Sequence, residues 1–93
     1  MDVRIDPHTL ERAEERGTNE EEIREVIATG FSLPASHGRS GHAKIFEYKQ
    51  YRLGRYYEQK RVEVIYAVHE LVITTVTVYV FYGNWEAEDA DSV

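Results

Sequence analysis

Twelve consecutive residues, Leu71 to Tyr82 (LVITTVTVYVFY), contain no glycine, proline or charge and are β-branched or aromatic almost throughout. Such a run is a long strand. Period two places Val72, Thr74, Val76, Val78, Val80 and Tyr82 on one face and Leu71, Ile73, Thr75, Thr77, Tyr79 and Phe81 on the other. The valine row calls for a hydrophobic core. The second row carries the hydroxyls of Thr75, Thr77 and Tyr79, as a face would if something polar lay against it, although Thr and Tyr also favour strands for conformational reasons alone.

A sheet built on this strand needs helices to bury its apolar face, and the N-terminal third supplies two. Asp6-Pro7 reads as an N-cap followed by proline at the first helical position, and Gly17 suits the C-terminus of that helix. Thr18 to Glu21 has capping-box spacing, and Glu20, Glu21 and Glu22 sit where the positive end of a helix dipole favours them. Ile23, Val26 and Ile27 form the buried stripe of this second helix, and Gly30 ends it. Phe31 to Gly41 has loop composition and carries His37 and Arg39.

The rest reads as an antiparallel meander: Ala43 to Tyr48, Tyr51 to Glu58, Arg61 to Val68 and Leu71 to Tyr82, with turns at Lys49-Gln50, Gln59-Lys60 and His69-Glu70. The expected architecture is α+β, an N-terminal helical hairpin packed on one face of a mainly antiparallel sheet of about four strands. With 93 residues the chain makes one domain, 1–86, because so short a chain cannot bury two cores. The acidic, apolar-poor tail 87–93 is expected to be disordered. The N-terminus lacks an apolar signal core and no run suits a membrane helix, so a cytoplasmic protein with no membrane partner is expected.

The formal charge of −6 conceals an uneven distribution. Residues 1–36 hold four Arg against nine acids and residues 62–93 hold six acids and no Lys or Arg, whereas residues 37–61 hold seven Lys/Arg against Glu47 and Glu58. This basic island can meet an anion whatever the total, because binding follows local potential. Its Lys44, Lys49, Arg52, Arg55, Lys60 and Arg61 alternate with Phe46, Tyr48, Tyr51, Tyr56 and Tyr57, a pattern that suits the phosphates and unstacked bases of single-stranded RNA. It equally suits half-buried tyrosines with Lys and Arg stems around them, and charged edge strands guarded against aggregation.

His8, Arg12 and Arg16, at i, i+4 and i+8, project from one side of the first helix. Imidazole moves protons near neutral pH and guanidinium clamps phosphate oxygens; the same row also fits ordinary surface charges paired with Glu15 or Glu20. Without cysteine, and with His8, His37, His42 and His69 at no compact zinc spacing, a metal site is disfavoured, and no cofactor is expected. No phosphate-binding glycine loop, nucleophile elbow or dinucleotide fingerprint occurs. Acid–base chemistry on phosphate is the catalytic class left with candidate groups.

The order of His8-Thr-Leu-Glu-Arg12, Glu15-Arg16-Gly17, Glu20-Glu-Glu-Ile23, Val26-Ile-Ala-Thr-Gly30, Ile73-Thr-Thr-Val-Thr-Val-Tyr79 and Trp85 resembles a small uncharacterised prokaryotic domain family grouped with RelE/ParE-like toxins. The resemblance implies a barnase/colicin/RelE-type fold, two helices on one face of a curved sheet and RNA on the other, and metal-independent RNA cleavage. In that picture His8, Arg12 and Tyr79 are catalytic. Arg16 and Thr77 match the family's Arg-Gly and terminal-strand motifs and, with Lys44, Arg52 and Arg55 of the basic island, are expected to bind the substrate. RNA, also on the ribosome, and a cognate antitoxin protein are the partners the resemblance implies; a second copy of the chain belongs to the alternative reading. The alternative is a non-catalytic protein- or nucleic-acid-binding module on the same scaffold.

Overall fold

A computed structural model describes residues 2–85; the tail 87–93 lies outside the described residues. The elements run β1 (Asp2–Arg4), α1 (Pro7–Arg16), α2 (Glu20–Thr29), β2 (Phe31–Leu33), β3 (Ser40–Arg52), β4 (Arg55–His69) and β5 (Val72–Gly83). They form two helices and one five-stranded sheet of order β1-β5-β4-β3-β2. β1 is parallel to β5 and all other pairs are antiparallel. The α+β class is as expected and the sheet is larger by one strand. The short pieces β1 and β2 lie at its two edges, and Phe31–Leu33 pairs with β3 where a loop was expected.

Both helices begin and end at chemically specified points. The Asp6 carboxylate accepts the His8 N–H at 3.0 Å, and Gly17 closes α1 in the left-handed conformation at φ 93°. The second cap falls one residue later than expected. Asn19 accepts the Glu22 N–H at 2.9 Å, while the Thr18 hydroxyl donates to the Glu22 carboxylate at 2.8 Å. Gly30 is needed for closeness rather than for torsional freedom, because a Cβ there would strike the Ala43 and Val26 carbonyl oxygens.

The core lies between the helices and one sheet face, with Ala13, Ile23 and Val26 against Val62, Val64, Tyr66, Ile73 and Val78. Three strand expectations are corrected. The β3–β4 turn is Leu53-Gly54, with φ of 51° and 82°, whereas Lys49-Gln50 lies at a β-bulge and Gln59-Lys60 lies inside β4. The β4–β5 turn is Glu70-Leu71, one residue later than predicted. The third correction concerns the faces of β5. Ile65 pairs with Thr77 and Tyr66 with Thr75, so Val76 has no partner on β4 and the strand turns over at that bulge. Before it Ile73 and Thr75 are buried and Thr74 is exposed; after it Val78 is buried and Tyr79 exposed. The helix-facing row therefore starts as Ile73 and Thr75 and continues as Val78, Val80 and Tyr82.

Thr75 is thereby moved off the open face. Its hydroxyl accepts the Asp6 N–H at 2.9 Å and donates to the Thr9 hydroxyl at 3.0 Å, with both threonines buried. These bonds pin the start of α1 to β5.

Candidate functional site

The sheet face away from the helices presents Phe31, Tyr79 and Phe81, each more than two-fifths exposed. Cross-strand pairing aligns Phe31 with Ala43, Glu63 and Tyr79, and Ile45 with Arg61 and Phe81. At one end of this face the segment 34–39 between β2 and β3 bends over the sheet. With Ile65, Val76, Thr77 and Tyr79 it encloses a groove of about 310 Å³, to which Pro34, Ser36 and Arg39 contribute the other wall. Gly41 permits this closure, because a Cβ there would press on Leu33 and Ile65 at 3.2 Å. His37 stands on the rim, its Nδ1 3.0 Å from the Ser36 hydroxyl.

β1 covers the outer edge of β5 only at Val72 to Thr74, and below that point α1 takes over. Arg16 Nη1 donates to the Val78 carbonyl at 2.6 Å, and its guanidinium carbon lies 5.3 Å from the Tyr79 ring centroid. This contact joins the helix to the open face and sets a cation beside the tyrosine at the groove. The row expected on α1 is present, but its members differ in engagement. Arg12 is bound to Glu15 at 2.7 Å. His8 is exposed in the first turn, and its ring makes no hydrogen bond or ion pair among the described residues. The helical rise separates His8 from Arg16 by about 12 Å along the axis. Of the expected site, the structure brings together Arg16, Thr77 and Tyr79; His8 stands two turns away on α1.

The basic island is dispersed over both faces, and much of it is engaged in holding the helices. Lys44 lies on the helix side and bonds Glu25 and the Thr29 hydroxyl. Lys60 is buried, donating to the Gly17 carbonyl at 2.8 Å and pairing with Glu22 at 2.7 Å. Arg52 donates to the Glu15 carbonyl at 3.1 Å, and the Tyr82 hydroxyl to the Arg16 carbonyl at 2.6 Å. Three side chains from the sheet thus satisfy the last carbonyls of α1. Burial raises the Tyr82 phenol above its ordinary pKa, more than the neighbouring Arg52 lowers it, which keeps it a donor. Arg61 is bound to Glu63 at 2.8 Å and lies over the Phe31 ring at 5.1 Å. Arg55 makes no ion pair among the described residues and lines a second cleft of about 450 Å³ with Tyr56, Tyr57 and Tyr82, at the far end of the molecule.

Arg39 and Ser36 were absent from the expected site. Their only signal was a loop rich in Ser and Gly carrying a cation just before the sheet, and nothing local says that such a loop bends back over the strands. Among the described residues no three His, Asp or Glu side chains converge as a metal site, and no helix is long and apolar enough to cross a membrane.

Neither curated proteins nor solved structures give a significant match to this chain. A family model does match, over residues 5–80, from the lead-in to α1 through the Tyr79 segment of β5. The matched span includes the helical hairpin, the groove and the Arg16–Tyr79 contact, and the chain belongs to the family described as a domain of unknown function, DUF4258.

Proposed function

We propose that the chain is a RelE-like, toxin-type endoribonuclease that receives a single RNA strand on its open sheet face and cleaves it without a metal. The observation that carries the reading is the Arg16 guanidinium held 5.3 Å from the exposed Tyr79 ring at a groove whose opposite wall carries Arg39. A phosphate seated there meets two cations and the hydroxyls of Thr77, Ser36 and Tyr79. Helices on one face, exposed aromatic rings on the other and the motif order described above support the same reading.

In the proposed reaction a ribose 2′-oxygen attacks the adjacent phosphorus while the bond from phosphorus to the 5′-oxygen breaks. The products are a 2′,3′-cyclic phosphate and a 5′-hydroxyl. His37, whose Nδ1 lies 3.0 Å from the groove-lining Ser36 hydroxyl, takes the proton of the 2′-hydroxyl; His8, about 12 Å along α1 from the Arg16 that holds the phosphate, is too far to share it. Tyr79 donates a proton to the departing 5′-oxygen and is reprotonated by solvent, while Arg16 and Arg39 stabilise charge on the phosphoryl oxygens and Arg12 lies along the strand's path.

Cleavage of a labelled single-stranded RNA by purified protein, without divalent metal, tests this. Tyr79→Phe and His37→Ala are each expected to lower the rate by about 10²–10⁴-fold, and His8→Ala to leave it nearly unchanged. A parent protein that leaves free and ribosome-bound RNA intact, and that arrests growth no more than Tyr79→Phe when induced in cells, would remove the enzyme reading.

A second reading, a protein-binding module, is favoured by one observation. Arg61 is already neutralised by Glu63, which leaves Phe31, Ile45, Tyr79 and Phe81 as a largely apolar surface suited to an antitoxin-type partner or a second copy. Such a complex would form with little dependence on salt and without RNA.

A further inference from the structure

β5 ends at Gly83, opposite Gln59, whereas β3 and β4 continue past it to the turn at Leu53-Gly54. Residues 48–58 therefore make a two-stranded arm beyond the five-stranded sheet. Its base is held by Tyr82, whose ring lies 5.0 Å from Tyr48, 5.4 Å from Tyr57 and 4.9 Å from the Arg52 guanidinium. Its tip is apolar and in water. Leu53 is 96% exposed, Tyr51 72% and Tyr56 44%, and the two tyrosines meet edge to face at 5.4 Å.

Nothing in the fold asks for leucine at this place. Leu53 has φ 51°, a conformation that costs a leucine and suits asparagine, and Asn-Gly is the favoured pair for such a hairpin turn. Leu71 adopts a similar backbone in the opposite hairpin, but with Glu70 and His69 beside it and neither a Lys nor an Arg. The arm differs in charge: residues 48–58 hold Lys49, Arg52 and Arg55 against Glu58, with Lys49 3.8 Å from Glu47 at its base, in a chain of net charge −6. Exposed rings, a protruding leucine and local positive charge together match single-stranded nucleic acid, whose bases stack on the rings and whose phosphates meet the cations.

We propose that this arm is a second RNA-docking element, with Leu53 and Tyr51 lying between unpaired bases and Lys49 and Arg55 on the flanking phosphates. The proposal rests on the reading that RNA is the ligand of the open face. From Glu63, opposite Tyr79, to Arg55 the arm extends about 26 Å along β4, so only an RNA long enough to span that distance from the groove engages both.

The test is binding of fluorescently labelled single-stranded RNAs, one long enough to reach from groove to tip and one too short, to the parent, Leu53→Asn and Tyr51→Ala. Leu53→Asn suits the turn, so its thermal midpoint should equal or exceed that of the parent, which separates docking from folding. Expected are losses of about fivefold or more in affinity for the long RNA with Tyr51→Ala and a smaller loss with Leu53→Asn, with the short RNA unaffected. Unchanged affinity for the long RNA would overturn the arm proposal and leave the groove reading standing. Failure of the parent to bind either RNA would overturn both. An RNA-free protein complex that Leu53→Asn abolishes would assign the tip to a protein partner instead.

Discussion

Gly17 shows how one residue can be committed by its surroundings. It takes φ 93°, and a Cβ built on it would overlap the Tyr82 hydroxyl that bonds the preceding carbonyl. Gly38 also has a positive φ, 71°, but nothing lies within 4 Å of the place its Cβ would occupy. The pair separates torsional cost from crowding. Gly38→Ala should destabilise by about 1 kcal/mol, the cost of a left-handed conformation for an L-residue. Gly17→Ala should cost about 2–4 kcal/mol, because the Tyr82 bond and the cap of α1 are lost in addition. Urea unfolding followed by tyrosine and tryptophan fluorescence would show it; equal costs at the two glycines would mean that the crowding at Tyr82 relaxes freely. The Arg16-Gly17 pair accordingly has two separate jobs, with the glycine closing the helix and the arginine reaching past it to Tyr79.

At the scale of elements, the bulge at Val76 decides which side chains meet the helices. It places Thr75 under α1, where its hydroxyl serves both the Asp6 N–H and the Thr9 hydroxyl. Thr75→Val keeps volume and branching while removing both bonds. It should cost about 1–3 kcal/mol, the penalty for leaving buried polar groups unsatisfied, and a loss below a few tenths in urea unfolding would show that α1 is held by packing alone. This bulge could not be read from the sequence, since a uniform run of Val, Thr and Ile carries no mark where the alternation slips. The helices were legible because Asp6-Pro7, Gly17 and Gly30 are chemically specific punctuation. Leu53-Gly54 is hard to read as a turn because its first residue is a poor one for positive φ, while Lys49-Gln50 has turn composition at a place that is a bulge. Of the site, Thr77 and Tyr79 were readable from alternation. Arg39 was not, since its place depends on a loop folding back over the open sheet. The fates of Lys44 and Lys60 were equally hidden, because their partners come from α2 and the end of α1.

For the whole molecule, a protein of charge −6 that binds RNA must do so through the few cations its fold leaves available. Lys44, Lys60 and Arg61 are bound to Glu25, Glu22 and Glu63. Arg52 is held between the Glu15 carbonyl and the Tyr82 ring on the helix side of the sheet. Arg16, Arg39 and Arg55 remain for phosphates, as does Lys49, whose 3.8 Å contact with Glu47 is in water and easily exchanged. Four neutralised phosphates on a single strand correspond to a slope of log affinity against log salt of about −2.8. Repulsion between RNA and the acidic remainder weakens as salt screens it, so the observed slope should lie at about −2 to −3. Arg39→Ala should make the slope shallower by about 0.7, one phosphate's share, whereas Lys44→Ala should leave it unchanged because that cation is already taken by Glu25. Fluorescence titrations at several salt concentrations measure both. If Lys44→Ala flattened the slope as much as Arg39→Ala, the RNA would be lying on the helix side of the sheet, and the groove under residues 34–39 would not be its seat.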